Sequence, residues 1–269
     1  MKPRALILHA NGINRDLEAA EALEKAGARA EIVHLNQLRR SARNWDDYQI
    51  LCIPGGFSYA DALGGGKLMA LEMNVYFSDQ VRAFVDSGKP VIGICNGFQA
   101  LVKAGILPGG HTPARKKGAR PDENRLPATL TFNESGRFEC RWVYLKPSSR
   151  KCLWTRGLKE LVYCPVAHGE GRFLTGDLQT LKTLVREDRV ALVYAFPDGT
   201  PAGGMYPDNP NGSPGDVAGV CNEQGNVLGL MPHPEDHIHD WQHPRNARGE
   251  SGMLGLRLYE TGVRYAAGM

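Results

Sequence analysis

Three short segments of this chain carry residue types that together could break an amide bond. The first is Gly93-Ile94-Cys95-Asn96-Gly97, a thiol with a glycine two residues away on either side. Where a buried strand turns sharply into a helix, a nucleophile at the corner takes a strained backbone, and glycines at those two positions let strand and helix approach. The helix N-terminus adds partial positive charge beside the sulfur, which favours a thiolate. An arbitrary cysteine is more often a packing residue. Here the apolar run before Cys95, the glycine spacing and the amphipathic Phe98, Leu101 and Val102 after it all fit a nucleophile elbow. Cys52 also precedes glycines but lacks the flanking spacing, and it reads as core.

The second segment is Pro232-His233-Pro234-Glu235. A thiol nucleophile needs a base to hold its proton and return it to the leaving group, and the base needs an orienting acceptor. In an extended segment, residues two apart face the same side, so His233 and Glu235 can converge. Alone, this segment reads more readily as a surface loop; its pairing with the elbow gives it weight. The third segment is Pro54-Gly55-Gly56, a glycine turn whose backbone amides at Gly55 and Gly56 could receive an oxyanion. It could as easily be a plain turn.

These segments require particular elements to hold them. Arg4 to His9 reads as a strand, Asp16 to Ala26 as a helix with Leu17, Ala20 and Leu23 inward and a stop at Gly27, and Ala30 to Leu35 as the next strand. Tyr48 to Ile53 is a nearly continuous apolar run stopped by Pro54-Gly55-Gly56, as expected of a strand buried on both faces. Ser78 to Ser87 reads as a helix, and Lys89 to Ile94 as the strand that delivers Cys95. This alternation predicts an α/β fold with a central, mostly parallel sheet flanked by helices. The second half is β-heavy, with strand-like runs at Ala128 to Phe132, Phe138 to Leu145, Tyr163 to His168 and Val190 to Tyr194. Val217 to Cys221 and Val227 to Met231 read as a hairpin leading straight to His233, and Ser251 to Tyr265 as a closing helix. The Gly-, Pro- and charge-rich stretch 108–127 is expected to be a loop insertion within one domain spanning 1–269.

Composition excludes several classes. With 42% hydrophobic and 23% charged residues and a net charge of +3, the chain has core material and no strong bias toward nucleic acid. The basic run Arg115-Lys116-Lys117-Gly118-Ala119-Arg120 reads as a solvated loop. No apolar run approaches the roughly 20 residues of a membrane helix, and no signal-peptide pattern opens the chain, so a cytoplasmic protein is expected. The six cysteines show no metal or disulfide spacing. His237, His239 and His243 lack the partners of a metal site and read as a polar tail, so no metal is expected. Gly64-Gly65-Gly66-Lys67 lacks the spacing and hydroxyl of a phosphate loop, since Asp61 and Leu68 stand where a glycine and a Ser or Thr would be needed.

Taken together, the motifs resemble those of the class I, triad-type glutamine amidotransferases, a flavodoxin-like fold family, and within them the glutaminase subunits of phosphoribosylformylglycinamidine synthase. Cys95-Asn96-Gly97-Phe98-Gln99 with the distant His233-Pro234-Glu235 carries the class. Asn133 to Phe138, Ala167-His168-Gly169-Glu170-Gly171 and Asn209-Pro210-Asn211-Gly212-Ser213 carry the narrower likeness. The resemblance implies that Cys95 forms a glutamyl thioester from L-glutamine and releases ammonia, with His233 as base and Glu235 orienting it. It implies oxyanion or substrate-binding roles for Gly55, Gly56, Asn96, Gln99, His168, Gly169 and Gly171, and either substrate or partner contact for Asn209 to Ser213. It also implies a partner synthase subunit that holds ATP and Mg, a small bridging subunit, and no cofactor in this chain. Asp236, where the family motif usually continues with Arg, departs from the pattern. A glutaminase serving another acceptor, or a peptidase- or deglycase-like hydrolase of the same broad fold, is the alternative; the latter group typically has His where Asn96 stands.

Overall fold

The computed structural model describes residues 2–109 and 126–269. The basic run at 115–120 and most of the expected 108–127 insertion therefore lie outside the described residues. Strands β1 (Arg4–His9), β2 (Arg29–His34), β3 (Ile50–Ile53) and β4 (Val91–Ile94) alternate with helices α1 (Asp16–Lys25), α2 (Leu35–Arg39), α3 (Lys67–Tyr76) and α4 (Ser78–Asp86). Helix α5 (Asn96–Lys103) follows β4 across a single residue, Cys95. The second half contributes β5 (Ala128–Thr131), β6 (Glu139–Pro147), β7 (Val162–His168), β8 (Arg172–Thr175), α6 (Leu178–Arg186), β9 (Val190–Ala195), β10 (Val217–Cys221), β11 (Val227–Leu230) and α7 (Leu256–Ala267).

The main sheet has nine strands in the order β2-β1-β3-β4-β11-β10-β9-β6-β7, and β5 pairs with β8 in a separate two-stranded sheet. From β2 to β11 every pairing is parallel, and from β11 to β7 every pairing is antiparallel. The parallel half has the order of a flavodoxin-like sheet with β11 as its fifth strand. Strands β3, β4 and β11 are buried at every position, which explains their unbroken apolar sequences: helices cover both faces. Because they run parallel, their C-terminal ends meet at one edge and bring Gly55, Cys95 and His233 together.

Several elements differ from the sequence reading. Helix α1 buries Ala19, Ala22 and Leu23 and leaves Leu17 72% exposed, so the inward face is rotated from the one expected. Helix α3 went unrecognised because Leu71 and Val75 are apolar yet exposed, which blurs its period. Strand β8 and helix α6 were also missed; α6 is short and displays Leu178 and Val185 to solvent. Helix α7 begins later than Ser251 because Gly252 and Met253 take positive φ values of 90° and 53°. No helix among the described residues is long and apolar enough to cross a membrane.

Candidate active site

Cys95 sits at the β4–α5 corner with φ 49° and ψ −104°, a conformation that costs an L-residue about 1–3 kcal/mol and persists only where its surroundings enforce it. The two flanking glycines are what permit it. A Cβ on Gly97 would lie 1.9 Å from the Ile53 carbonyl oxygen, and one on Gly93 would lie 2.4 Å from Leu101 Cδ1. The Cys95 N–H donates to the Leu230 carbonyl at 2.8 Å, tying the corner to β11, and Sγ lies 3.8 Å from the Ala167 carbonyl oxygen.

His233 is placed by its N–H, which donates to the Pro165 carbonyl on β7 at 2.8 Å. Its Nδ1 lies 2.7 Å from Glu235 Oε1, and both side chains are buried. Residues 234–236 form a short helical turn and not the extended segment expected, so the His233–Glu235 pair is closed by a tight turn instead of strand alternation. An ionised carboxylate only accepts, so Nδ1 carries hydrogen and the Nε2 of neutral His233 is left as a free base. Nε2 is buried and has no hydrogen-bond partner among the described residues. Burial opposes protonation of His233, but the Glu235 carboxylate and the Cys95 sulfur outweigh it and hold the imidazole well above its ordinary pKa. Tyr259 on α7 faces the other oxygen of Glu235, with its hydroxyl 3.4 Å from Oε2.

Gly55 packs against both Cys95 and His233. A Cβ there would stand 2.7 Å from His233 Cε1 and 3.5 Å from Cys95 Cβ. Gly56 has φ 134°, and its missing Cβ makes room for Asn14 N, which would lie 2.7 Å away. The backbone N–H groups of Gly55, Gly56 and Asn96 donate to no acceptor among the described residues. Free donors are what an oxyanion site needs, and of the three Asn96 adjoins Cys95 in sequence while Gly55 packs against it.

The Asn96 side chain faces elsewhere. Its Oδ1 accepts from Ser58 N at 3.2 Å and Ser58 Oγ at 2.5 Å, and its Nδ2 donates to Asp61 Oδ1 at 2.8 Å and Gln99 Oε1 at 3.0 Å. Gln99 Nε2 donates to the Glu170 carbonyl at 2.8 Å, so its amide is held one helical turn from Cys95. His168 is held by Asn133, whose Oδ1 lies 3.1 Å from its Nδ1 and also accepts the Gly171 N–H at 2.9 Å. Burial, and secondarily the positive charge of His233, push the His168 pKa down to about 3, so it is neutral, and its Nε2 is buried and unpartnered among the described residues. Gly171 is required where it stands, because a Cβ would lie 2.3 Å from the His168 ring. Gly169 accepts the Asn133 N–H at 2.9 Å.

Sequence comparison matches residues 2–266 to the CobB/CobQ-like glutamine amidotransferase domain. The chain is 54% identical over 268 residues to the phosphoribosylformylglycinamidine synthase subunit PurQ of Treponema denticola, covering 98% of this chain and 99% of that one. It is 42% identical over 270 residues to PurQ of Dehalococcoides mccartyi, covering 98% of each. Among solved structures, the PurLQS structure from Thermotoga maritima superimposes with a TM-score of 0.72 at 31% identity, over 98% of this chain and 99% of that one. The chain belongs to the CobB/CobQ-like glutamine amidotransferases.

Several features of the amidotransferase were not legible from its motifs. Tyr259 and Asn133 support Glu235 and His168; Asn133 lay within a segment that carried the family resemblance, while nothing in sequence marked Tyr259. Asn209, Asn211 and Ser213, expected to face substrate or partner, are buried and bonded internally: Asn211 Nδ2 donates to Tyr194 Oη and to the Gly171 carbonyl. The expected polar tail folds inward. His237 and His243 are buried against Trp142 and Tyr163, because Asp240–Gln242 turns the segment back onto β6 and β7. Asp236 pairs with Arg15 at 3.7 Å, and burial, with the Glu235 charge second, raises its pKa to about 6. His233, Glu235 and Asp236 bring ligand-type atoms within 4.8 Å of one another, but His233 and Glu235 already satisfy each other.

Proposed function

We infer that this amidotransferase is the glutamine-hydrolysing subunit of a phosphoribosylformylglycinamidine synthase. The observation that carries the chemistry is the meeting, at the ends of β3, β4 and β11, of a strained cysteine, a carboxylate-oriented histidine and free backbone donors. Full-length similarity to PurQ chains supports the pathway. In this reading the Cys95 thiolate attacks the side-chain carbonyl carbon of L-glutamine, and the N–H groups of Gly55, Gly56 and Asn96 receive the oxyanion. His233, as imidazolium, gives its proton to the leaving nitrogen, and ammonia departs as the glutamyl thioester forms. Water then adds to the thioester, losing its proton to His233; the proton returns to sulfur as glutamate leaves. Gln99, His168 and the Gly169–Gly171 backbone border the substrate space.

The hydrolysis itself needs only water. Ammonia passes to the synthase subunit, where ATP and Mg are expected, and a small bridging subunit completes the assembly in the cytoplasm. Residues 1–269 act as one domain in this reading.

The test incubates the chain with glutamine, alone and with its synthase partner, ATP and formylglycinamide ribonucleotide, beside Cys95→Ala. Cys95-dependent glutamate together with formylglycinamidine ribonucleotide is the expected result. Glutamate without that product would point to another acceptor, and no Cys95-dependent glutamate would overturn the reading.

A further inference from the structure

We propose that Lys103 is a positioning residue for glutamine recognition: with Glu170 it clamps Gly65 and thereby fixes the side-chain amide of Gln99. The inference rests on the glutaminase reading above. Cys95, Gln99 and Lys103 stand four residues apart along α5, so one helix face carries nucleophile, amide and ammonium in succession.

The clamp holds both backbone polar groups of Gly65. Its N–H donates to Glu170 Oε1 at 3.1 Å and Oε2 at 3.2 Å, and its carbonyl accepts from Lys103 Nζ. Lys103 Nζ also lies 3.7 Å from Glu170 Oε2. Gly65 in turn lies flat against the Gln99 amide, since a Cβ on it would meet all three polar-end atoms of Gln99 at 2.5–2.6 Å. The opposite constraint on that amide is the Glu170 carbonyl, which accepts from Gln99 Nε2. Both walls of the Gln99 slot are therefore held by groups that Lys103 contacts.

The segment before Gly65 needs such anchoring. Tyr59, Ala60 and Asp61 take φ values of 54°, 57° and 50° in succession, and each left-handed L-residue costs about 1–2 kcal/mol. Asn96 pins Ser58 and Asp61 at one end of this segment, and the Lys103–Glu170 clamp pins its other end. Without the ammonium, the carboxylates of Glu170 and Asp61 would repel each other across the same turn, and the segment would lose an anchor just where it touches Gln99.

The experiment compares wild type, Lys103→Met, Lys103→Arg and Glu170→Gln in the assembled synthase. For Lys103→Met the KM for glutamine is expected to rise at least tenfold while kcat changes less than threefold, with Lys103→Arg returning KM to within threefold of wild type. Alkylation of Cys95 by iodoacetamide, which needs no glutamine recognition, should keep its rate and pH profile, and ammonia-dependent synthesis should be unchanged. Glu170→Gln carries the same test from the other side of the clamp, should Lys103→Met not fold. An unchanged KM in both variants overturns the clamp, as does a joint loss of alkylation and ammonia-dependent synthesis, which marks a general lesion. Absence of Cys95-dependent glutamate from wild type would overturn the glutaminase reading itself, a result separate from wild-type kinetics in the variants.

Discussion

Replacing Glu235 by Gln removes one charge and almost no volume, so it isolates what the carboxylate does. Glu235 Oε1 lies 2.7 Å from His233 Nδ1 in a site where both side chains are buried. Breaking one side of a buried, hydrogen-bonded charge pair costs about 3–5 kcal/mol. A Gln can also present its NH2 to Nδ1, which moves the ring hydrogen to Nε2 and leaves no base facing Cys95. If that cost falls on the transition state, kcat/KM drops by about 150- to 5,000-fold. The carboxylate is also a main reason the His233 pKa stands above its ordinary value, so the alkaline limb of the pH–rate profile should move to lower pH in the variant. The same raised native pKa means that the pair contributes stability fully below about pH 6.5 and loses it as pH rises through the native value. The destabilisation caused by Glu235→Gln should therefore be larger at pH 6 than at pH 10. Glutamate release measured from pH 5 to 10, with thermal melts alongside, checks each point. Activity within threefold of wild type and an unmoved alkaline limb would refute the assigned role.

Three other substitutions test separate parts of the structure. Gly55→Ala would place a Cβ 2.7 Å from His233 Cε1, and glutaminase kcat should fall at least 100-fold while the melting temperature stays within a few degrees. Gly97→Ala would drive a Cβ to 1.9 Å from the Ile53 carbonyl oxygen, so stability itself should fall by about 3 kcal/mol or more, read by denaturant titration. Asp236→Asn should stabilise the protein. The native pKa of about 6 lies above the unfolded value, so the ionised group costs stability as pH rises through that window; the gain should be about 1–3 kcal/mol at pH 7.5 and vanish below pH 4, as melting curves would show.

The parts of the site that were legible are those where a local constraint leaves a residue-type signature. Gly93 and Gly97 bracket Cys95 because any side chain there would strike Leu101 or Ile53, and that necessity is written in the sequence as glycine. Burial on both faces likewise wrote β3 and β4 as apolar runs. Constraints imposed from a distance left no such mark. Tyr59, Ala60 and Asp61 are left-handed without being glycine, because Asn96 and Glu170 hold that loop from elsewhere in the chain. His237 and His243 look like solvent-facing polar residues until β6 and β7 supply Trp142 and Tyr163 to cover them. The inward rotation of α1 was set by its packing partners, which its own periodicity could not choose between.

The adjacency of β4 and β11 has a consequence for how the enzyme comes into being. These strands pair residue for residue from Val91↔Val227 to Ile94↔Leu230, yet His233, which follows β11, is made long after Cys95. At ribosomal speeds of about 5–20 residues per second, roughly 140 intervening residues correspond to about 7–28 s during which Cys95 exists without His233. Under the proposed mechanism the cysteine thus leaves the ribosome without its base, and hydrolysis waits for a late strand to insert between β4 and β10 and complete the sheet. On that mechanism, activity reports that the middle of the sheet has closed, and a partly synthesised chain is expected to hydrolyse no glutamine.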